Sequence, residues 1–255
     1  MRWFSLSAFR VWQRNRDVFL ALGKSEMPGI IAEPLLVLLA MGYGLGAYVS
    51  DVGGRDEYIE FIAPGIIAAY GMFSACLECT YGSFFRMDVQ KTYDAIIATP
   101  LSIEDVVAGE ALWGATRSLI TTTAVLIIAA MFGAINSPWA LLALPMGFLA
   151  GLMFASIALT FTAIAPGISS FNYFFTLFAT PMFFFSGVFF PLDSFPSLVH
   201  TLSWIAPLTP VSRIIRAVTE GDLEWSLLGA LALVIVITIV FFRLALVLMR
   251  RRLLK

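Results

Sequence analysis

Long apolar runs separated by short polar stretches make up most of the chain. A helix that crosses a bilayer needs roughly 20 apolar residues. Six runs meet that length: 28–49, 59–84, 107–134, 139–165, 168–190 and 226–249. Connections such as INSPW and APGISS are too short to hold a soluble domain. The pattern predicts an all-α integral membrane protein, a single transmembrane domain over residues 1–255 with six transmembrane helices.

The first 24 residues have a different pattern. Apolar side chains recur at helical spacing, and the basic residues fall on another face. The apolar face holds Phe4, Ala8, Val11, Val18 and Leu22, widened by Trp12 and Phe19, and the polar face holds Arg10, Arg14 and Asp17. This pattern predicts an N-terminal interfacial helix over 1–24 that lies in the membrane plane. A simple cytoplasmic tail is the alternative.

A polar segment at 86–106 separates the second and third runs. It combines an apolar stripe with charges: the apolar positions are Tyr93, Ile96 and Ile97, and the charged ones are Lys91, Asp94, Glu104 and Asp105. Thr99 and Pro100 are expected to stop one helix, and Ser102 can cap the next with Asp105 at its third position. We expect a short cytoplasmic helix here, and a solvated loop is the alternative.

The stretch at 191–225, between the fifth and sixth runs, is apolar for a loop. Thr209 can cap a helix whose first residue is Pro210 and which Gly221 ends. Val211, Ile214, Ile215 and Val218 would then share one face. Two short helices that dip back into the outer leaflet, a re-entrant outer hairpin, explain this composition better than an exposed loop does.

Composition and charge support a membrane protein and give its orientation. The chain is 60% hydrophobic and 13% charged, whereas soluble domains hold about 25% charged residues. Lys and Arg cluster at both termini and in the segment 86–106, which predicts that both termini are cytoplasmic. They form no broad basic patch, so nucleic acid is not an expected partner.

Signals for catalysis are weak. Gly23-Lys24-Ser25 resembles the end of a phosphate loop, but Val18 stands where that motif needs glycine, so no ATP-hydrolysing site is expected in this chain. Cys76 and Cys79 have metal-ligand spacing but lie in an apolar run without a second ligand pair, which favours packing. We therefore expect no catalytic residue, metal or cofactor on this chain.

Charged residues inside the apolar runs are the stronger functional candidates: Glu33, Glu78, Glu110 and Arg117. A lone charge in hydrocarbon costs several kcal/mol, so such groups face protein or water and tend to pair. Adjacent antiparallel helices place Glu78 and Arg117 at similar depth. They form either a structural ion pair or the polar lining of a substrate path. Gly42/Gly46 and Gly147/Gly151 permit close helix contacts.

Two blocks carry a family resemblance that extends over essentially the whole chain. RMDVQKTYDAIIATPLSIEDVVAGEALWGATRS (86–118) resembles the segment between the second and third helices of ABC-2 type exporter permeases. FFFSGVFFPLDSFP (183–196), followed by LTPVSRIIRAV, resembles the family's fifth-helix exit and outer hairpin. The chain is most similar to the permeases that export rhizobial nodulation factors, which are lipo-oligosaccharides.

The resemblance implies a function and partners. It implies a bacterial inner-membrane permease that forms a homodimer and pairs with two copies of a separate ATPase, which binds ATP and Mg²⁺. In that family the segment after the second helix is the coupling helix that docks on the ATPase. The resemblance implies that Tyr93, Ile96 and Ile97 are apolar knobs in this contact, that Lys91, Asp94, Glu104 and Asp105 are rim charges, and that Pro100 belongs to the same segment. An amphipathic cargo, such as a lipid-linked or acylated saccharide, is then expected, with a hydrophobic drug or another lipid as the alternative. An ion-driven transporter or a membrane enzyme acting on lipid-linked sugars fits less well.

Overall fold

The computed structural model describes residues 7–48, 58–194, 196, 200 and 203–254, without the side chains of 24–26. Predictions that fall on 1–6 and 49–57, including Phe4, lie outside the described residues, as does much of the first expected outer helix. The regular structure of the described chain is helical. Its α-helices are α1 (Ser7–Val37), α2 (Tyr58–Leu77), α3 (Thr92–Ile97), α4 (Ile103–Met131), α5 (Ala143–Ile164), α6 (Ser170–Phe174), α7 (Thr180–Phe185), α8 (Leu208–Glu220) and α9 (Leu227–Leu253).

Several of these helices are extended by π-helical or 3₁₀ turns. α1 continues through a π-helix at Leu38–Leu45 and a 3₁₀ turn at Gly46–Tyr48. α2 continues through π-helical turns at Glu78–Gly82 and Phe85–Val89. A further π-helical turn joins α6 to α7, and a 3₁₀ turn precedes α5.

Five stretches of the described chain are long and apolar enough to cross a membrane. They are Met27–Tyr48, Tyr58–Val89, Ile103–Met131, Pro138–Ile164 and Leu227–Leu253. These match five of the six predicted runs. The remaining one, expected over 168–190, is helical only from Ser170 to Phe185, a length of about 24 Å at 1.5 Å per residue. By length and composition the described chain therefore has five candidate spans.

The helix that ends at Phe185 is followed by an irregular stretch whose carbonyl oxygens are satisfied by side chains. The Tyr58 hydroxyl donates to the Phe189 oxygen at 3.0 Å, and the Ser212 hydroxyl donates to the Ser186 oxygen at 2.7 Å. Gly65 allows this stretch to approach α2 closely, because a Cβ at position 65 would lie 2.7 Å from the Val188 Cα. Irregular backbone in a membrane protein needs such internal partners, so these contacts explain how the chain can leave the helix here.

The described core centres on α2, which packs against α4, α5 and α8. α4 and α5 approach closely at the predicted pair of glycines. A Cβ on Gly147 would lie 2.6 Å from the Thr122 hydroxyl, and the Ser118 hydroxyl donates to the Gly147 oxygen at 2.9 Å. Cys76 and Cys79 are buried free thiols, and a Cβ on Gly114 would lie 2.5 Å from the Cys79 sulfur. Small residues thus set the helix spacing.

α1 is longer than the helix predicted over 1–24, and the position of its first turns in the membrane plane stays a prediction. The helix runs from Ser7 to Val37 without the expected break before the first apolar run. Ala8 and Val11 are buried against α4 at Gly109. A Cβ at this position would lie only 2.7 Å from the Ala8 oxygen, so the absence of a side chain on Gly109 permits the contact. The Trp12 indole donates to the Thr116 hydroxyl at 2.8 Å. Its first turns therefore pack on protein, because small residues on α4 let the two helices approach.

α8 confirms one predicted helix boundary and corrects the other. It ends at Gly221, whose φ of 93° is in the left-handed region that favours glycine. It begins at Leu208, after Pro207, and the Thr209 hydroxyl does not cap it but donates to the Ser203 oxygen. The predicted apolar face is buried, with Val211 and Ile215 almost fully covered. The re-entrant position of this hairpin in a membrane stays a prediction.

Candidate functional site

A cluster of charged side chains joins α1, the end of the α2 span and α4. We call it the Arg86 cluster, and it comprises Asn15, Glu78, Ser83, Arg86, Glu110 and Arg117. Arg86 stands at its centre, in the π-helical turn Phe85–Val89. Its Nη2 lies 2.5 Å and its Nε 3.0 Å from the two carboxylate oxygens of Glu110, and its Nη1 lies 2.8 Å from Glu78. One guanidinium therefore bridges two carboxylates.

Glu110 is the most deeply buried charge of the cluster, with a side chain 1% exposed. Both of its oxygens have a second partner. The Ser83 hydroxyl donates to Oε2 at 2.8 Å, and the Asn15 amide donates to Oε1 at 3.1 Å. Burying a carboxylate costs several kcal/mol unless it is paired and hydrogen-bonded. Here α1 and the α2 span supply the compensation, so the cluster ties both of them to α4.

The expected contact between Glu78 and Arg117 is present but secondary. Arg117 Nε lies 3.5 Å from Glu78 Oε2, and the Arg117 guanidinium lies over the Phe19 ring at 4.7 Å from its centroid. Glu78 is held at shorter range by Arg86. Glu33, another of the predicted candidates, lies elsewhere, beside Tyr70 of α2.

A cavity of about 360 Å³ opens beside the cluster, between α1 and the end of the α2 span. Its polar wall contains Arg14, Asn15, Glu78, Arg86 and Gln90, and its apolar wall contains Val18, Phe19, Leu22, Phe85 and Trp113. Burial, followed by repulsion from Arg86, lowers the pKa of Arg14. A polar, charged cavity therefore lies directly over the ion pairs.

The segment 86–106 leads directly from this cluster to α4. Lys91, exposed and with a φ of 54°, makes the turn from the α2 span into α3. α3 ends at Ile97, and Thr99 and Pro100 follow in an exposed turn, as expected. The capping box of α4 also forms as expected, because the Asp105 backbone N–H donates to the Ser102 hydroxyl and the Ser102 N–H donates to the Asp105 carboxylate at 2.9 Å.

Two side chains of this segment are placed differently from the expectation. Tyr93 is fully buried rather than exposed as an apolar knob, because α3 turns this side inward against the core. Asp105 is 7% exposed and serves as a cap, so it is not a rim charge. Ile96 and Ile97 are partly buried against the core. Asp94 is exposed, and Glu104 lies 3.7 Å from Arg250 of α9.

Sequence reasoning did not identify Arg86, Ser83 and Asn15 as members of the site. Arg86 follows Glu78 by eight residues, which in a regular α-helix turns it about 80° away. The π-helical turn Glu78–Gly82 takes up one extra residue, so the two side chains return to the same face. The sequence shows the charge of Arg86 near the end of an apolar run. It does not show the π-helical turn that directs the Arg86 side chain inward.

Comparisons with known proteins agree with this architecture. Residues 12–219 match the family model described as ABC-2 type transporter. The chain is 37% identical to "Nodulation protein J" of Rhizobium leguminosarum bv. trifolii over 254 residues, which cover 98% of this chain and 95% of the relative. It is 35% identical to "Nodulation protein J" of Bradyrhizobium diazoefficiens over 246 residues, covering 96% and 93%. With its bundle of membrane-length helices, the chain belongs to the ABC-2 type transporter membrane family.

Proposed function

We propose that this multi-pass permease is the membrane half of an ATP-driven exporter, and that a separate ATP-binding-cassette subunit binds ATP and Mg²⁺. Two permease chains and two ATPase subunits would form the working unit. The sequence has no phosphate loop of its own, so the driving force must arrive through a protein contact. The segment 86–106 is the proposed contact.

The observation that carries this proposal is the direct connection between α3 and the Arg86 cluster. Only a few residues separate Arg86 from α3, and α3 is covalently joined to the spans on both sides. Tyr93 is packed next to Arg86 and Glu110, which also contribute to the electrostatic environment of its hydroxyl. A displacement of α3 would therefore move the buried ion pairs, and with them α1, α2 and α4.

The burial pattern supports one face of α3 as the face that would meet the ATPase. Tyr93 points into the core, whereas Asp94, Ala95, Ala98 and Pro100 are exposed. Two alanines on the open face allow a partner backbone to come close, and Asp94 and Lys91 can serve as charges at its edge. We propose this exposed face as the docking surface, in place of the tyrosine ring.

A substitution on the open face tests the docking surface without disturbing the core. Ala95→Arg places a long charged side chain in the proposed contact, and Ser169→Arg places the same group at an exposed position in the connection between α5 and α6, on the same predicted side of the membrane. We expect Ala95→Arg to lose ATPase co-purification and transport, and Ser169→Arg to retain both. Wild-type association of Ala95→Arg would mean that the ATPase docks elsewhere.

The cargo we propose is an amphipathic lipid-linked or acylated saccharide. The support is the similarity to proteins named "Nodulation protein J" and the aromatic lining of the α6–α7 region, where a cavity of about 430 Å³ is bordered by Phe178 and Phe185. A hydrophobic drug or another lipid is the second candidate. Stimulation of ATP hydrolysis by an acylated oligosaccharide, compared with the free oligosaccharide and the free fatty acid, distinguishes these. Equal stimulation by the fatty acid alone would contradict the saccharide proposal.

The proposed arrangement in the bacterial inner membrane has six spans and cytoplasmic termini. The shorter α6–α7 region would serve as the fifth span, completed by the irregular stretch after Phe185, and the outer hairpin at 191–225 would re-enter the outer leaflet. Both native cysteines are buried, so a cysteine introduced at Ser197 reports its own position. It should react with an impermeant thiol reagent added from outside, and reaction only from the cytoplasmic side would contradict this topology.

A further inference from the structure

The cavity beside the Arg86 cluster has an excess of positive charge. Its described lining contains the guanidinium groups of Arg14 and Arg86 and the carboxylate of Glu78. Because Arg86 contacts Glu78 and Glu110, the charge in this lining that has no carboxylate partner is that of Arg14. In a site removed from bulk water such an imbalance attracts an anion, because charge interactions are screened less there than at an exposed surface.

Arg14 is the group that carries the excess. Arg86 and Arg117 both contact carboxylates, whereas the hydrogen bond that Arg14 makes goes to the neutral amide oxygen of Asn15 at 3.1 Å. Among the residues that the structure describes, no carboxylate lies within ion-pair distance of Arg14. Its guanidinium lines the cavity and is left with free donors.

The opposite wall of the cavity is apolar and continues to the outside of the molecule. Val18, Leu22 and Phe85 line it, and each is close to half exposed, at 47%, 53% and 45%. Leu20, on the same stretch of α1, is 67% exposed. An amphiphile with an anionic head could place that head at Arg14 and lay its chains along these side chains.

We propose that this cavity binds the headgroup phosphate of an anionic phospholipid, with Arg14 as the principal donor. Gln90 supplies a further amide donor at the rim. The excess of one positive charge matches a lipid of net charge −1, and it offers less to a zwitterionic lipid, whose ammonium group would meet Arg14 and Arg86. The bound lipid would contact α1 and the end of the α2 span together, next to the proposed coupling segment. This site does not depend on the identity of the cargo.

The test uses the full chain in a neutral detergent with three probes: short-chain phosphatidylglycerol, short-chain phosphatidylcholine and inorganic phosphate. Binding is measured by native mass spectrometry and by the shift in melting temperature. We expect phosphatidylglycerol to bind and to stabilise the chain, and phosphatidylcholine to bind more weakly. Inorganic phosphate should compete poorly, because it makes no use of the apolar wall. Equal binding of both lipids, or full competition by phosphate alone, would overturn the proposal.

Two variants of α1 separate the site from a general effect of charge. Arg14→Gln removes the unmatched charge, and Arg10→Gln removes the same charge from an exposed position on the same helix that does not line the cavity. Since a hydrogen bond to a charged group contributes about 1.5–3 kcal/mol, Arg14→Gln should weaken phosphatidylglycerol binding at least about tenfold. Arg10→Gln should leave it unchanged, and Arg14→Lys should retain part of it. Equal losses from Arg10→Gln and Arg14→Gln would mean that the lipid responds to net charge alone.

Discussion

One arginine holds each end of the long α2 span, and the two arginines use different partners. At one end Arg86 contacts the carboxylates of Glu78 and Glu110 at 2.8 and 2.5 Å. At the other end Arg216 of α8 donates to the main-chain oxygens of Phe61 and Gly187 at 2.7 and 2.9 Å. The Arg216 guanidinium also lies 4.0 Å from the centroid of the Phe61 ring.

The difference in partners indicates a difference in mobility. The short hydrogen bonds of Arg216 go to main-chain carbonyls, and Glu220 lies at the longer distance of 3.8 Å. Main-chain carbonyls offer one fixed geometry, so this end of α2 is joined firmly to α8 and to the irregular stretch after Phe185. At the Arg86 end, Glu78 already contacts two arginines, and Glu110 has Asn15 and Ser83 as further partners. Ion pairs with spare partners can exchange, and π-helical turns are frequent at functional sites. We infer that the Arg86 end rearranges during transport around a fixed Arg216 end.

The largest expected effect is that of Arg86→Ala. The substitution leaves two carboxylates in a buried site without their common cation, which should cost about 3–5 kcal/mol of stability. The melting temperature of the purified chain and the yield of folded protein measure this loss. A melting temperature within error of wild type would contradict the central position of Arg86.

A double variant serves as the control for Arg86. Glu110→Gln removes the most buried negative charge and keeps a group of similar shape. Its single oxygen can still accept from Asn15, while its NH2 group can donate to the Ser83 hydroxyl oxygen. Combined with Arg86→Ala, it should recover part of the lost stability, because one uncompensated charge is gone. Strictly additive losses would mean that Arg86 and Glu110 do not act as a pair.

Arg216→Ala should have the second largest effect and should be of a different kind. It removes two hydrogen bonds from a charged donor, a contact with the Phe61 ring and the cation that lies 3.8 Å from Glu220, about 2–3 kcal/mol together. Because this end is the proposed fixed joint, the ratio of transport to ATP hydrolysis should stay normal in the protein that folds. Changes at Arg86 should alter that ratio. An altered ratio in Arg216→Ala, measured in nanodiscs with the ATPase, would remove the distinction between the two ends.

The helices and some local contacts could be predicted because they follow from nearby residues. Five apolar runs became membrane-length helices, the capping box at Ser102 formed, and Gly147 and Gly151 marked the α4–α5 contact. Hydropathy and cap chemistry act over a few residues, so the sequence contains the information directly.

Features that depend on tertiary contacts could not be predicted. An arginine near the end of an apolar run usually extends to the membrane surface. Here the π-turn, Glu78 and Glu110 hold Arg86 inside. The amphipathic pattern of α1 fits lipid as well as protein, and the small Gly109 on another helix decides in favour of protein for Ala8 and Val11. In the run at 168–190 the helix already ends at Phe185. This end depends on distant side chains, because Tyr58, Ser212 and Arg216 donate hydrogen bonds to the main-chain oxygens that follow.

Arg117→Ala should lower stability less than Arg86→Ala or Arg216→Ala does. The loss should be about 1–2 kcal/mol, from the contacts of Arg117 with Glu78 and with the Phe19 ring. Glu78 keeps Arg86 at 2.8 Å, so Glu78 is not left without a cation. In the Arg86→Ala background, however, the same change should be more harmful, because Arg117 is then the cation nearest to Glu78. Thermal unfolding of the single and double variants checks this. Equal effects of Arg117→Ala in both backgrounds would show that the two arginines do not share Glu78.

The smallest expected effect distinguishes a buried Tyr93 from a docking one. Its ring is 0% exposed, and among the described residues no group makes a hydrogen bond of normal geometry to its hydroxyl. Burial raises the pKa of Tyr93 well above the usual value, so the hydroxyl stays neutral. Since an unpaired buried hydroxyl contributes nothing favourable, Tyr93→Phe should change stability by less than about 0.5 kcal/mol, or increase it.

Tyr93→Ala is the matched comparison for Tyr93→Phe. It leaves a cavity next to the Arg86 cluster and should cost about 3–5 kcal/mol. If the ring instead reached the ATPase, Tyr93→Ala would release the ATPase and leave the melting temperature of the permease unchanged. Co-purification with the ATPase and thermal unfolding are measured on the wild type, Tyr93→Phe and Tyr93→Ala. Together they decide whether Tyr93 is a core residue that transmits the movement of α3 or a surface residue that contacts the ATPase.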